Sequence, residues 1–431
     1  MKKKLVLGFL SLTLSFTAFA GGLLTNTNQH VSFLRMIARG ASIDIDGVYS
    51  NPAGLGFMND GFYLSLNGQS AYQTRIIDAS FPLFGESPKR YKGIASAPFV
   101  PSVQALYKKG DWAFSGSFAI TGGGGKASFN EGLPMFDSRV MAGISSQTGG
   151  AVTSDMYTIN SAMDGKQYIF GFQLGASYKI NDYLSVFAGG RMNYVKSGYD
   201  GYLYAKLKTA IPTDLTTIEL DVDQSGWGVT PIIGVDVKYN KWNLGLKYEF
   251  KSSLNIENKT KKNSDPDGTL AEYRDGVNTP NDIPAMFMAA LGYKILPVLR
   301  ATIEYHQFSD ENARMANDKQ KYLTGNTHEY LAGIEWDVHK IVTVSAGYQK
   351  TDYGLSDNFQ SDISFSLDSY SIGFGVALKL TPKLTMNVAY FWTTYDDYTK
   401  VSENYNGLPI AGTDVYSRTN KVFGLGIDYR F

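Results

Sequence analysis

From Phe62 onward, the chain consists of segments in which large apolar residues alternate with small or polar ones. In the last nine residues, Phe423 to Phe431, every odd position is apolar and every even position is Gly or charged. A period of two residues predicts β-strands with one apolar and one polar face. Three other segments predict the same arrangement, with these outward residues: Trp112, Phe114, Phe118 and Ile120; Leu244, Leu246, Tyr248 and Phe250; Tyr370, Ile372, Phe374, Val376 and Leu378.

The connections between these segments alternate between short and long. Six are short, at 108–111, 180–183, 239–241, 295–297, 339–340 and 380–383. Seven are long and polar, at about 78–99, 122–166, 197–226, 258–283, 309–327, 353–367 and 397–415. Short periplasmic turns and long extracellular loops are typical of outer-membrane barrels. The sequence therefore predicts an all-β fold, a 14-stranded antiparallel transmembrane β-barrel over residues 61–431.

A soluble β-sandwich is the alternative, because its strands also alternate, with the apolar face inside. The amino terminus favours export to the outer membrane instead. Residues 1–20 carry three lysines, an apolar stretch from Leu5 to Phe16 and the small-residue site Ala18-Phe19-Ala20. This arrangement predicts a secretory signal peptide cleaved after Ala20, and the stretch is short for a membrane-spanning helix. We expect a protein of the bacterial outer membrane.

Composition narrows the function further. The chain has no cysteine, which argues against a lipoprotein anchor or disulfides, and aromatic residues make up 14% of it, as suits interfacial girdles. Its 40 basic and 40 acidic residues give no basic excess, so we expect no nucleic-acid partner. We also expect no metal, cofactor or catalytic site: there is no Gly-x-Ser-x-Gly element, and His328-Glu329 lacks a second His because position 332 is Ala.

A barrel of this size needs a plug or encloses a channel, because side chains fill only barrels of about eight strands. Residues 21–60 precede the first strand, lack the period of two, and contain a possible short helix from Phe33 to Gly40. We therefore predict that they form a hatch inside the bore. A disordered periplasmic tail is the alternative.

The hatch sequence resembles a known family. Arg39-Gly40-Ala41-Ser42-Ile43, followed by Asn51-Pro52-Ala53, is similar to the hatch signature of the FadL and TodX outer-membrane transporters. The similarity extends through Gly226-Trp227-Gly228, residues 248–255, residues 369–390 and the last strand. The resemblance implies a monomeric barrel that captures hydrophobic ligands outside and releases them sideways through a gap beside a kinked third strand. On this basis we expect a lateral opening at Gly122, Gly123, Gly124 and Gly125; a flexible loop tip is the alternative.

A fatty acid has an alkyl chain and a carboxylate, so its site should combine apolar wall with cations. The candidate cations are Arg35, Arg39, Arg191, Lys247, Lys251 and Arg300, the last four placed on inward faces by the period of two. The candidate apolar residues are Phe33, Leu34, Met36 and Ile37 on the hatch, with Phe187, Met286 and Met288 on the wall. Alternatively, the cations pair with Glu249, Glu304 and Glu335 and the apolar residues only hold the hatch.

The sequence thus predicts passive uptake of hydrophobic molecules, with long-chain fatty acids as the expected ligand. The alternatives are a haem-binding receptor with His306, His328 or His339 as axial ligand, and a structural or adhesive barrel. Expected partners are outer-membrane lipid, lipopolysaccharide and, through the strand ending at Phe431, the barrel-assembly machinery.

Overall fold

A computed structural model describes residues 23–209, 213–265, 267–268 and 270–431; the predicted signal peptide lies outside these residues. The strands form one antiparallel sheet that closes on itself, because the last strand pairs with the first. In chain order they are β1 (Gly61–Ser80), β2 (Lys89–Lys109), β3 (Trp112–Phe129), β4 (Tyr157–Lys179), β5 (Leu184–Leu207), β6 (Asp214–Tyr239), β7 (Trp242–Glu249), β8 (Asn255–Asn263), β9 (Asn278–Pro280), β10 (Met286–Leu296), β11 (Leu299–Phe308), β12 (Thr327–His339), β13 (Val342–Asp352), β14 (Ser369–Thr381), β15 (Leu384–Tyr395), β16 (Tyr398–Ser402) and β17 (Gly412–Arg430).

Three wall strands are interrupted, so these segments make 14 wall strands. The segments β7 and β8 both pair with β6, and β15 and β16 both pair with β17. In the same way, β9 pairs with β8 while β10 pairs with β7. The predicted 14-stranded antiparallel barrel is therefore confirmed.

The strands on the extracellular side are much longer than predicted. The region 197–226, predicted as a loop, is mostly strand, because β5 continues to Leu207 and β6 begins at Asp214. A membrane needs only about 9–11 residues per strand, whereas β6 has 26. The extra length carries polar residues on the outward face, and this is why the apolar pattern did not reveal it.

Large apolar side chains cover the outside of the barrel. Leu174 is 74% exposed, and Trp112, Tyr183, Tyr239 and Trp242 are exposed near the short turns. An apolar belt with aromatic residues at its edge is the lipid-facing surface of an outer-membrane barrel. The barrel thus belongs in a membrane, and the fold places it in the bacterial outer membrane. Among the described residues, no helix has the length and apolar composition that a membrane crossing requires.

Inside the barrel, residues 23–58 form the hatch and are almost entirely buried. The hatch contains helix α1 (Val31–Arg35) and two 3-10 helices, Ile45–Val48 and Pro52–Phe57. Helix α1 is shorter than predicted: it begins after His30, whose side chain accepts a hydrogen bond from the backbone N–H of Ser32, and ends before Met36. The second helix, α2 (Pro134–Thr148), lies in the β3–β4 connection at the extracellular end.

Glycines on the inner wall allow the hatch backbone to lie directly on the sheet. A Cβ atom at Gly333 or Gly373 would overlap the carbonyl oxygen of Ile37 or of Leu34, respectively. A Cβ atom at Gly245 would likewise overlap the carbonyl oxygen of Gly40. Any side chain at these positions would push the hatch toward the centre of the bore.

We expect Gly333→Val to lower the free energy of unfolding by about 1–3 kcal/mol, because the added side chain overpacks the hatch against the wall. Gly190→Val is the matched control, since the nearest atom to its Cβ would be the Thr230 carbonyl oxygen at 3.6 Å, an ordinary contact. The measurement is urea unfolding in detergent micelles, followed by tryptophan fluorescence. Equal stability of the two variants would contradict direct contact between hatch and wall.

Candidate functional site

The predicted hatch motif anchors the hatch to the wall. The Asn51 side chain caps the second 3-10 helix by accepting from the Gly54 N–H at 3.3 Å, and its amide donates to Asp236 of β6 at 2.5 Å. Pro52 occupies the first helical position, where its missing N–H costs nothing. Ala53 is fully buried against Phe187 and Ile232 of the wall. Each residue of the motif thus has a structural role where the second 3-10 helix meets the wall.

One carboxylate on β12 gathers three of the predicted cations. Glu335 lies 2.5 Å from Nη1 of Arg35, 3.1 Å from Nη1 of Arg39 and 2.8 Å from Nε of Arg300. Arg39 also binds Asp46 of the hatch at 2.6 Å. Removing the partners of such a buried carboxylate would leave its charge uncompensated and would strongly destabilise the protein. These cations therefore hold the hatch in place.

A second ion cluster holds the opposite side of the hatch. Arg191 forms a bidentate pair with Glu249, at 2.7 and 2.9 Å. Lys247 lies 2.9 Å from Glu249, donates to the Tyr49 carbonyl oxygen at 2.8 Å, and stands 4.2 Å from the centre of the Tyr49 ring. Lys251 does not follow the predicted inward face: β7 ends at Glu249, and the Lys251 side chain is 38% exposed beside Asp282.

The predicted apolar residues are also buried. Phe33, Leu34 and Ile37 share one apolar cluster with the wall, and Met36 lies beside Nη1 of Arg39. On the wall, Phe187, Met286 and Met288 are inward and buried.

Two of the three predicted histidines, His306 and His328, are paired within the wall, whereas His339 lies exposed at the turn after β12 and accepts from the Ile341 N–H at 3.4 Å. His306 lies between Glu304, at 2.5 Å, and Glu329, at 2.8 Å, and Glu304 accepts from the Gly40 N–H of the hatch. His328 contacts the Tyr305 hydroxyl at 2.7 Å. Both ring nitrogens of His306 are thus already engaged.

The hydrogen-bond ladder between β2 and β3 is broken at the expected third strand. Ser96 pairs with Lys126 and Ser102 pairs with Ala119, but within the described wall 97–101 and 120–125 do not pair with each other. On its other side β3 carries two bulges, at 120–122 and 123–125. Gly123 and Gly124 have φ values of 65° and 117°, which side chains other than glycine rarely adopt.

Two prolines on β2 explain why the partner strand does not bridge this break. Pro98 and Pro101 lie opposite the unpaired part of β3, and neither has a backbone N–H to donate. The sequence analysis missed them, although proline inside an alternating segment is a readable signal of an interrupted strand.

The inner side of the break is apolar. Ala97, Val100 and Ile120 belong to the cluster that contains Phe33 and Leu34 of the hatch. Ile120 pairs in register with Phe170 on the outward face of β4, and it is nevertheless only 6% exposed because it packs into this cluster. We name this cluster and the unpaired segments 97–101 and 120–125 the wall break.

The hatch segment covers the wall break and takes up its free hydrogen-bonding groups. Asn26 donates its backbone N–H to the Thr121 carbonyl at 2.8 Å and its amide to the Gly123 carbonyl at 2.9 Å. The Ser102 hydroxyl of β2 donates to the Gln29 carbonyl at 2.6 Å. The bonds from Asn26 thus give partners to two carbonyl groups in the unpaired segment of β3, and the Ser102 bond holds the hatch to β2 next to it.

The extracellular end of the bore is roofed by loops and helix α2. The roof is held by Asp362, which accepts from the Met135 N–H at 2.7 Å and from the Tyr416 hydroxyl at 3.1 Å. Burial raises the pKa of the Asp362 carboxyl above its ordinary value, and the ammonium group of Lys400 opposes that rise. Below the roof is a large apolar cluster that includes Ile77, Phe365 and Tyr416.

Two arginines lie between two apolar clusters: the one below the roof, which we call the roof cluster, and the one that contains Phe33 and Leu34, which we call the hatch cluster. Arg75 of β1 and Arg418 of β17 are directly opposite each other in register and are 0% and 6% exposed. The Arg75 guanidinium lies 4.9 Å from the centre of the Phe365 ring, and that of Arg418 lies 4.8 Å from the Tyr395 ring. The sequence analysis missed this pair; the period of two marks each residue as inward, but not that they are neighbours.

No protein-family model matches the chain, and no curated protein matches it. Solved structures are similar to it throughout. A FadL homologue from Pseudomonas aeruginosa is 15% identical with a TM-score of 0.69, covering 97% of this chain and 100% of that one. The toluene transporter TbuX of Ralstonia pickettii is 14% identical with a TM-score of 0.54, and TodX of P. putida is 13% identical with 0.56; each match covers 90% of this chain and 94% of the other. The chain therefore has the fold of the FadL and TodX outer-membrane barrels, as its hatch sequence predicted.

Proposed function

We propose that this protein takes up hydrophobic molecules passively across the outer membrane and releases them sideways into the lipid through the wall break. The observation that carries the proposal is the unpaired stretch between β2 and β3, which is lined by the apolar residues Ala97, Val100 and Ile120. On the outer side Phe99 is 69% exposed. An apolar surface thus runs from the bore to the lipid face of the wall.

The energetics of a hydrophobic ligand favour this route. Burying an alkyl chain gains about 0.8 kcal/mol per methylene, so a long chain does not return readily to water. Release needs a second apolar phase, and the lipid beside the wall break is one. Transfer from pocket to lipid requires no energy source, only displacement of residues 24–29 from the break.

The arginine pair favours an acid as the ligand. Two guanidinium groups side by side present several donors in a fixed geometry that suits a carboxylate. The roof cluster above and the hatch cluster below offer apolar surface for the rest of an amphiphile. We therefore propose long-chain fatty acids as the ligand class, whereas the neighbours TodX and TbuX are described as toluene transporters.

The cations that hold the hatch to the wall have a different role from the arginine pair. Arg35, Arg39, Arg191, Lys247 and Arg300 are in ion pairs, and a ligand carboxylate would reach them only by displacing Glu335 or Glu249. Such an exchange would loosen the hatch. We propose that they couple ligand arrival to hatch movement.

A bulky side chain in the wall break should block release without abolishing binding. We expect Ala97→Trp and Val100→Trp to lower transfer of a fluorescent fatty acid into proteoliposome lipid at least tenfold, because both positions line the inner side. Equilibrium affinity should stay within threefold of the parent chain. Replacing the four glycines is a poorer test, since Gly123 and Gly124 need positive φ.

Ala105→Trp on β2 is the matched control, since it lies in the paired part of the same strand, opposite Gly116. Its transfer rate should equal that of the parent chain. Normal transfer by Ala97→Trp and Val100→Trp, with binding retained, would exclude the wall break as the exit.

The ligand class is tested by removing the charge of both arginines. We expect the double variant Arg75→Gln/Arg418→Gln to bind palmitate at least tenfold more weakly, since a lost charge-assisted hydrogen bond costs about 1.5–3 kcal/mol. Affinity for hexadecanol, which has the same chain length without the carboxylate, should change less than threefold. Arg90→Gln, at an exposed arginine of β2, is the control. Equal losses for acid and alcohol would contradict recognition of the carboxylate, while retained hexadecanol binding would leave hydrophobic uptake standing.

A further inference from the structure

The outward face of β4, β5 and β6 carries a row of aromatic side chains on the extracellular side. Phe170 pairs with Tyr194, and Tyr194 pairs with Trp227, so the three lie next to each other across the strands. The ring centres of Phe170 and Tyr194 are 6.4 Å apart, and Trp227 is 68% exposed. Aromatic rows of this kind mark the boundary between lipid tails and headgroups.

Directly above this row, on the same outward face, the strands carry lysines. Lys196 is the next outward residue after Tyr194 on β5, Lys166 lies two positions beyond Tyr168 on β4, and Lys259 of β8 pairs in register with Asp223 of β6. The lysines alternate with carboxylates: Asp223 is 2.9 Å from Lys166 and 2.8 Å from Lys261. Since exposed ion pairs of this kind contribute little stability, such lysines can exchange partners readily.

A cleft of about 1060 Å³ opens beside these lysines. It exists because β6 pairs with β7 only from Ile232 onward and with β8 only up to Ser225, so residues 226–231 pair with β5 but have no regular partner on the β7 and β8 side of the described sheet. The residues that link β7 to β8 face those that link β9 to β10, and there Ser252 forms an isolated β-bridge with Ile283. The cleft is lined on its apolar side by Tyr194, Trp227, Val229 and Leu254, and its charged lining residues are Lys259, Arg314, Glu257 and Asp275.

We propose that this surface binds a phosphorylated glycolipid of the outer leaflet, lipopolysaccharide, through its lipid A part. The aromatic row and the apolar end of the cleft contact acyl chains and sugar rings, and Lys166, Lys196, Lys259 and Lys261 contact the phosphates. The lysines lie directly above the aromatic row, which is where the phosphates of a headgroup anchored in the same leaflet would lie. The inference uses only the outer-membrane location and is independent of which ligand the bore carries.

The test compares two triple variants of the full barrel, purified in detergent and freed of native lipid. One is Lys196→Gln/Lys259→Gln/Lys261→Gln, and its matched control is Lys92→Gln/Lys350→Gln/Lys421→Gln, at exposed lysines on β2, β13 and β17. The probes are diphosphoryl lipid A and monophosphoryl lipid A, and binding is measured by native mass spectrometry. Heat-dependent gel migration confirms that each variant is folded.

We expect the first triple variant to bind diphosphoryl lipid A at least tenfold more weakly, while the control changes less than threefold. The parent chain should prefer the diphosphoryl form, and that preference should disappear in the first variant. Equal affinity of the two variants for diphosphoryl lipid A, or no preference of the parent chain for the second phosphate, would overturn the assignment.

Discussion

The structure depends on one constraint: in a membrane, every backbone N–H and carbonyl group of the wall needs a partner inside the protein. Most of the wall meets it through regular antiparallel pairing from β1 round to β17. Between β2 and β3 the strands do not meet it themselves, and Asn26 and Gln29 of the hatch donate to the carbonyls of Ile120, Thr121 and Gly123 instead. The break in the wall and the position of the hatch are therefore parts of one arrangement, since moving the hatch leaves the break unsatisfied.

The hatch is fixed by contacts of two kinds, and each has a different consequence. The backbone lies on inward glycines such as Gly333 and Gly373, which sets its distance from the wall. Ion pairs centred on Glu335 and Glu249 then fix its orientation. Close contact with glycine is hard to vary, whereas ion pairs can exchange partners. In the proposed mechanism, an anionic ligand would exchange these ion pairs while the glycine contacts keep the hatch in the bore.

The sequence predicts the strand number well, because the period of two and the six short turns are local signals. It also places Arg191 and Lys247 correctly on the inner face, since parity holds wherever a strand is regular. It fails where regularity ends: Ile120 is buried in the wall break next to the bulges of β3, and the end of β7 leaves Lys251 exposed. The pairing of Arg75 with Arg418 joins the first and last strands, and no local pattern contains that register. Pro98 and Pro101 can be read from the sequence, but only the structure shows that they lie opposite the unpaired part of β3.

Photo-crosslinking during transfer would show whether a ligand leaves through the wall between β2 and β3. A long-chain fatty acid with a diazirine near its methyl end would be added to the barrel in lipid bilayers, irradiated during transfer, and located by peptide mass spectrometry. The account predicts crosslinks to 97–101 and 120–125. Crosslinks confined to the hatch and the periplasmic turns, with none in these two segments, would show passage straight through the bore and contradict it.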